Sequence, residues 1–216
     1  MRVNTSALVL SLALTLSLGT SARADVVYES ATLGPEGQYL GYSIWGQQFL
    51  GWRFSFDEAT QVTGIGGHFT AEFGELFGAI VPLPSASGLP AFPGREIESF
   101  ALASTLVSGT LPSSDVLVPL SVLLDPGDYG LVFGGSDSAV GWFPFGAHGI
   151  GVMLLNNPDL PGSSYFFFNG FRWDDVRGTT NMRFVVTAVP DPEIYAMMVV
   201  GLGVLGFVAR RRKKGG

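Results

Sequence analysis

A regular succession of short apolar runs, each closed by turn-forming residues, is the feature that most constrains the fold of this chain. Between residues 25 and 189 the runs recur about every ten residues, separated by clusters of Gly, Pro, Asn and Asp. A typical run is Trp52-Arg53-Phe54-Ser55-Phe56, whose alternation predicts a strand with one face packed and the other in water. Few stretches keep a helical period for long, so the pattern favours β structure.

The strand candidates number about ten, which suits an all-β fold of two packed antiparallel sheets, a β-sandwich of jelly-roll type. The runs at 100–107 and 116–124 look like a pair joined across the intervening segment. Pro119 has no N–H to donate, so the second run is expected at a sheet edge. Several glycines interrupt the run at 61–70 and predict a bulge or a bend there.

Residues 25–189 are strongly acidic, with five arginines and no lysine against sixteen carboxylates, a net charge of −11, whereas the whole chain carries −6. Such a surface repels phosphate backbones and anionic lipid headgroups, so nucleic acid is not an expected partner. The chain contains no cysteine, which excludes disulfides, thiol nucleophiles and Cys-ligated metals. The domain must therefore draw its stability from its core.

Residues 1–24 have the parts of a secretory signal peptide. A basic start is followed by an apolar stretch over residues 7–18 and by Ala22-Arg23-Ala24, in which Ala22 and Ala24 match the small-x-small cleavage pattern. The twelve residues of the apolar stretch are too few to cross a bilayer, so cleavage after Ala24 is expected. One secreted domain over residues 25–189 remains, enough chain to bury roughly 70% of its unfolded surface.

The C-terminal stretch has three consecutive parts. Pro190, Asp191, Pro192 and Glu193 form a rigid acidic hinge, and residues 194–209 carry no charge. As a helix these sixteen residues span roughly 24 Å against a hydrocarbon core of about 30 Å. Insertion is therefore marginal, and a cationic end that resists translocation is expected to act as a membrane stop. The cationic end consists of Arg210, Arg211, Arg212, Lys213 and Lys214.

This tail, residues 190–214, resembles the PEP-CTERM sorting signal of Gram-negative bacteria, in which a Pro-Glu-Pro motif precedes a short transmembrane helix and an Arg-rich end. The motif positions here are Pro190, Asp191 and Pro192, so Asp stands where the family has Glu. The charge is kept and the side chain is one methylene shorter. The resemblance implies recognition and cleavage by an exosortase, a membrane-embedded cysteine protease.

The same resemblance implies export through the inner membrane, transient anchoring, and a final place at the cell surface or in the extracellular polysaccharide matrix of a biofilm. Under this interpretation the domain is a cell-envelope or matrix protein without enzymatic activity. A retained C-terminal membrane anchor is the alternative for the tail. A buried core helix is disfavoured, because the run is apolar on all sides and adjoins five cations.

Two aromatic loops are candidates for glycan binding. Residues 142–145 are Trp-Phe-Pro-Phe and residues 171–173 are Phe-Arg-Trp. Sugars stack on flat rings, so Trp142, Phe145 and Trp173 would provide the surface of a lectin-like, carbohydrate-binding module for exopolysaccharide. The alternative is that these rings close the end of the core, as aromatic residues more often do.

Four aspartates in predicted loops are candidate calcium ligands, because secreted β-sandwiches often clamp loops with oxygen ligands. The spacing of an EF-hand loop does not occur in the sequence, and ordinary turn-forming Asp is the alternative. No other cofactor is expected. The four residues are Asp125, Asp128, Asp174 and Asp175.

A secreted hydrolase is the third hypothesis. His68 and His148 are the chain's two histidines, and neither lies in a known catalytic or metal-binding spacing. No Gly-x-Ser-x-Gly elbow occurs. Adjacent carboxylates such as Asp174 and Asp175 point to opposite faces of a strand, whereas a glycosidase pair must converge across a cleft. We therefore expect no catalytic residues.

Overall fold

The computed structural model of the protein describes residues 26–35, 40–109, 111–139, 141–178 and 180–190. Within these residues the chain forms twelve strands in two six-stranded sheets, and every strand pair is antiparallel. The helical segments of the described residues are short and lie in the connections between strands, at Gly94–Glu96, at α1 (Ile97–Phe100) and at Pro144–Gly146. The predicted all-β sandwich is confirmed at this level.

The first sheet is organised around its longest strand, β4. Its strands are β1 (Val26–Glu29), β2 (Gly41–Ile44), β4 (Thr60–Phe73), β7 (Ser114–Leu124), β9 (Ile150–Leu154) and β12 (Phe184–Pro190). β7 pairs along one side of β4, while β12 and β9 lie end to end along the other side, where Leu155 bridges Met182. β1 pairs with β12, and β2 pairs with β9.

The second sheet has the order β11-β10-β3-β8-β5-β6. Its strands are β3 (Phe49–Phe56), β5 (Glu75–Pro82), β6 (Ala103–Ser108), β8 (Gly127–Gly134), β10 (Tyr165–Phe168) and β11 (Trp173–Asp175). β3 and β6 overlap the runs predicted at 52–56 and 100–107, because the turn residues that bound such runs act locally.

The first core fills the space between the two sheets with alternate side chains of their facing strands. The rings of Phe69 and Phe133 meet edge to face at 4.6 Å, and Phe184 stacks on Phe133 at 5.6 Å. Each of these three side chains is fully buried. Full burial of a large apolar side chain contributes about 2–3 kcal/mol to the free energy of folding, relative to leaving it exposed.

A second core lies on the opposite face of the second sheet. Residues 83–101 and 142–147 cover this face, and they bury Phe49, Phe77 and Phe166 against it. The second sheet is therefore buried on both faces, and β5 has six consecutive buried residues.

The prediction that one face of residues 52–56 meets water is wrong in part, because the second sheet is covered on both faces. Ser55 is exposed, but Arg53 is only 7% exposed because the loop that carries Gly88 lies over it. Alternation indicated which side chains share a face; it did not show that a distant loop covers the polar one.

The pairing predicted for residues 100–107 and 116–124 is wrong. β6 pairs with β5 in the second sheet, whereas β7 pairs with β4 in the first, so the chain crosses from one sheet to the other between them. Two adjacent apolar runs carry no information on which sheet each will join. Pro119 does lie on an edge strand, since β7 pairs only with β4 among the described residues. The bulge predicted in residues 61–70 is confirmed by a register shift between Val62 and Gly64.

Several predicted features lie outside the described residues: the signal peptide with Ala22 and Ala24, and the tail from Asp191 through the uncharged and cationic parts. Pro190 is the last described residue, and its backbone pairs with Thr60 where β4 begins. Across the ranges that the structure describes, no helix is both long and apolar enough to cross a membrane.

Candidate functional site

Trp173 does not provide the exposed ring that a glycan-binding role requires. Its side chain is only 8% exposed, and its indole N–H donates a 2.8 Å hydrogen bond to the carbonyl oxygen of Phe92. The ring packs 5.3 Å from Phe168 and 5.5 Å from Phe166, within the second core. The structure therefore corrects the prediction for Trp173, because β11 carries this residue into the covered face of the sheet.

Trp142 and Phe145 are half-buried and close the same core. The Trp142 ring lies 5.5 Å from Phe49, and the Arg95 guanidinium stacks over it at 5.1 Å. Phe145 lies 5.1 Å from Phe77. The aromatic rings of the two loops thus pack around the same core. They do not form an open surface on which a sugar could stack.

The four candidate calcium ligands are not brought together. Asp125 and Asp128 lie at the turn between β7 and β8, whereas Asp174 and Asp175 lie on β11. No group of three or more acidic or histidine side chains within the described ranges is placed to hold a metal ion.

Three of these carboxylates bind neighbouring protein donors. The Asp128 carboxylate accepts a 2.5 Å hydrogen bond from the Ser55 hydroxyl, and Asp174 accepts one of 2.8 Å from Arg172. Asp175 forms an ion pair with Arg53. The side chains of these three residues therefore form hydrogen bonds and ion pairs that link neighbouring strands and turns.

The two histidines occupy unrelated environments. His68 is fully buried on the outer face of the first sheet, where its Nδ1 lies 2.8 Å from the side-chain oxygen of Asn156. His148 is exposed, with its ring 4.6 Å from that of Phe143. Within the described part of the chain, neither imidazole hydrogen-bonds a carboxylate, so no triad-like arrangement is assembled there.

A charged network that the sequence did not reveal joins strands of the first sheet. Arg183, the residue immediately before β12, donates hydrogen bonds of 2.7 Å to Glu29 of β1 and of 2.5 Å to Asp115 of β7. Burial raises the pKa of the Asp115 carboxyl, and the neighbouring Arg183 guanidinium acts in the opposite direction. The network thus connects β1 and β7 to the segment that leads into β12.

A second buried network surrounds Tyr165. Its hydroxyl lies 2.6 Å from the Asp159 carboxylate and within 3.3 Å of the carbonyl oxygens of Ser30 and Met182. Burial raises the pKa of Tyr165, and the hydrogen bond to Asp159 raises it further; the hydroxyls of Ser30 and Thr180 act in the opposite direction. Such a neutral, fully engaged phenol serves structure more readily than proton transfer.

One open groove combines an exposed ring with uncharged polar groups, and we name it the Trp45 groove. It lies where β2 and β9 pair, has a volume of about 430 Å³, and leaves the Trp45 side chain 45% exposed. Sequence reasoning missed it, because exposure of a ring depends on what the fold places above it. The lining residues are Ser43, Ile44, Trp45, Gln48, Ile150, Gly151 and Val152.

Comparison with known proteins adds no assignment to these observations. No protein-family model matches the sequence, and no curated protein is significantly similar to it.

Proposed function

We propose that the chain is an exported, exosortase-processed protein of the cell envelope or extracellular matrix, without enzymatic activity. The observation that carries the proposal is the order of the three parts in residues 190–214: a Pro-Asp-Pro motif, an uncharged stretch and a cationic end. The signal peptide at 1–24, the transmembrane helix at 194–209 and the jelly-roll type of the sandwich belong to this proposal.

The position of Pro190 supports a removable tail. β12 ends at this residue, and its backbone pairing with Thr60 completes the first sheet. The folded domain thus uses the chain up to the first residue of the motif, so cleavage beyond the motif would leave all described strands in place.

The uses of the polar side chains support a non-enzymatic role. Asp175 pairs with Arg53, Asp115 and Glu29 pair with Arg183, and Asp159 binds Tyr165. Carboxylates engaged in this way stabilise the fold. A function in sorting and in the matrix requires only that the domain be stable outside the cell.

Intact-mass measurement of the protein purified from its native host tests the proposal. We expect a mature form that starts after Ala24 and lacks residues 194–214. Pro192→Ala should accumulate the uncleaved, membrane-bound form, because the motif loses its rigid second proline. Pro161→Ala, an exposed turn position outside the tail, should be processed like the parent.

Asp191→Glu adds a second comparison, since it restores the residue that the resembling family carries at the motif. Processing should be at least as efficient as in the parent. A mature form that still carries residues 194–214 in the native host would overturn the proposal.

A carbohydrate-binding role is the second candidate function. Trp142, Phe145 and Trp173 do not carry it, because Trp173 is buried in the second core and the other two rings pack against that core. The Trp45 groove favours it, because the groove combines an open ring with uncharged hydrogen-bonding groups.

The third hypothesis, a hydrolase that uses His148 or an acidic pair, stays a prediction. Hydrolysis that is lost in His148→Ala is the outcome that would establish it.

A further inference from the structure

The strand geometry of the Trp45 groove places its side chains on the outer face of the first sheet. Ile44 points into the first core and is fully buried, so Ser43 and the following Trp45 point outward. Ser43 pairs with Val152 of the neighbouring strand, and Ile150 lies two residues further along on the same face. Two aliphatic side chains thus form a floor beside the indole.

The backbone around Trp45 is held in place by a tight turn. The Trp45 N–H donates to the Gln48 carbonyl at 3.1 Å, and the Gln48 N–H donates back to Trp45 at 2.8 Å. Gly46 donates to the carbonyl of Ser136 at 2.8 Å, and a Cβ on Gly46 would come within 2.0 Å of Asp137. Since backbone hydrogen bonds hold the turn on both sides, the main chain that carries the indole is fixed before a ligand binds.

The polar side chains of the groove are available to a ligand. Ser43 is exposed and Gln48 is half-buried, and the hydroxyl and the amide of these lining residues can each both donate and accept. None of the seven lining residues is charged. The volume of about 430 Å³ falls in the range of small-ligand sites, about 300–1,000 Å³.

We propose that the Trp45 groove binds a neutral glycan. The apolar face of a sugar ring would lie on the Trp45 indole and the aliphatic floor, and sugar hydroxyls would bond Ser43 and Gln48. The charge of −11 over residues 25–189 and the uncharged lining disfavour anionic polysaccharides. The proposal is independent of how the tail is processed.

Affinity electrophoresis in native gels that contain dextran, mannan or laminarin tests the proposal, with alginate as the anionic comparison. The full chain is kept in a polyoxyethylene detergent, because alkyl glycosides would compete for the groove. We expect at least one neutral glycan to retard the parent protein, and alginate to leave its migration unchanged. Trp45→Ala should weaken the apparent affinity at least tenfold.

Phe171→Ala is the matched control, because Phe171 is 92% exposed and does not line the groove. Its retardation should equal that of the parent. Should Trp45→Ala fail to fold, the double variant Ser43→Ala, Gln48→Ala tests the same groove and should also lose retardation, at an unchanged unfolding midpoint.

Three results would overturn the proposal. The first is that none of the three neutral glycans retards the parent. The second is equal retardation of the parent and the Trp45→Ala variant. The third is a dimer that Trp45→Ala dissociates, because the groove would then be an interface with a second copy of the chain along the edge of β2.

Discussion

At the scale of single residues, the stability of the domain depends on a few buried polar side chains that hold distant segments together. The guanidinium of Arg53 donates 2.8 Å and 2.9 Å hydrogen bonds to the carbonyl oxygens of Gly88 and Tyr165. It also pairs with Asp175 and lies 5.1 Å from the centre of the Phe166 ring. One side chain therefore connects the covering loop to three strands of the second sheet.

Replacing Arg53 by Met should lower the free energy of unfolding by about 2–3 kcal/mol, because the carbonyl groups of Gly88 and Tyr165 each lose a hydrogen bond from the guanidinium and Asp175 loses its ion pair. Arg172→Met is the control, since its ion pair with Asp174 joins side chains that are 75% and 30% exposed, and it should cost less than about 1 kcal/mol. Urea unfolding followed by circular dichroism measures both. Equal losses for the two arginines would contradict the role given to Arg53.

The raised pKa of Tyr165 predicts that the domain loses stability at alkaline pH. Its pKa is raised in the fold, by burial first, so the folded chain keeps a proton that the unfolded chain releases above pH about 10. This contribution to stability is complete below pH 10 and is lost as the pH rises toward the folded pKa. The limiting slope is about 1.4 kcal/mol for each pH unit.

Tyr165→Phe should remove that slope. The variant loses hydrogen bonds and should be less stable than the parent at pH 7, yet the difference between the two should shrink from pH 10 upward. Urea midpoints between pH 7 and pH 11.5 measure it. A stability difference that stays constant over this range would show that Tyr165 ionises equally in both states.

At the scale of elements, the second sheet is unusual in being covered on both faces, and glycines make room for the covering rings. A Cβ on Gly51 of β3 would lie 2.4 Å from the Phe166 ring, and one on Gly130 of β8 would lie 2.7 Å from it. Phe166 is fully buried and has no room to withdraw. Gly51 and Gly130 are therefore required for packing against the Phe166 ring, because any larger side chain would collide with it.

Gly51→Ala should therefore destabilise the protein by about 1–3 kcal/mol, the usual cost of overpacking a filled core. Gly127→Ala in the same sheet is the matched control, because its Cβ would meet Tyr129 at an ordinary 3.5 Å. It should change the free energy of unfolding by no more than about 0.5 kcal/mol. Thermal or urea unfolding distinguishes the two, and similar effects at both positions would refute the packing argument.

The strands were largely predictable, and their partners were not. Alternation and turn residues predict the runs that form β3 and β7, because both signals act within a few residues. β6 pairs with β5, whose free edge is set by the arrangement of the whole second sheet. Adjacent runs in sequence therefore gave the wrong pairing for residues 100–107.

At the scale of the whole molecule, the first described strand and the last one lie side by side. Val186 of β12 pairs with Tyr28 of β1 on one side and with Ile65 of β4 on the other. Its neighbour Phe184 reaches into the first core. The sandwich is therefore completed only when the end of the domain is in place.

A chain from Asp25 to Pro190 should unfold cooperatively, with a midpoint within a few degrees of that of the full chain. A chain that ends at Arg183 should show no cooperative transition, because β1 and β4 both lose the partner between them and the core loses Phe184. Scanning calorimetry of the two truncated forms checks this. A cooperative transition in the shorter form would contradict a completing role for β12.

The candidate sites divide along the same lines. The tail motif can be recognised from the sequence alone, because its proline hinge, uncharged stretch and cationic end are consecutive in sequence. Residue type and neighbours predict exposed rings at Trp142 and Trp173, whereas Trp173 is buried in the second core and Trp142 is half-buried against it. The sequence around Trp45 carries no comparable cluster of aromatic residues, and yet its ring remains open.

By itself, the sequence determined the β class, the acidic and cysteine-free character of residues 25–189, the bulge in β4 and the edge position of Pro119. These properties follow from composition or from interactions between near neighbours. Only the tertiary structure decided which sheet each strand joins, that Arg53 is buried, and which aromatic rings stay exposed. The physical reason is that burial is set by segments far apart in the chain, as when the Gly88 loop covers Arg53 from 35 residues away.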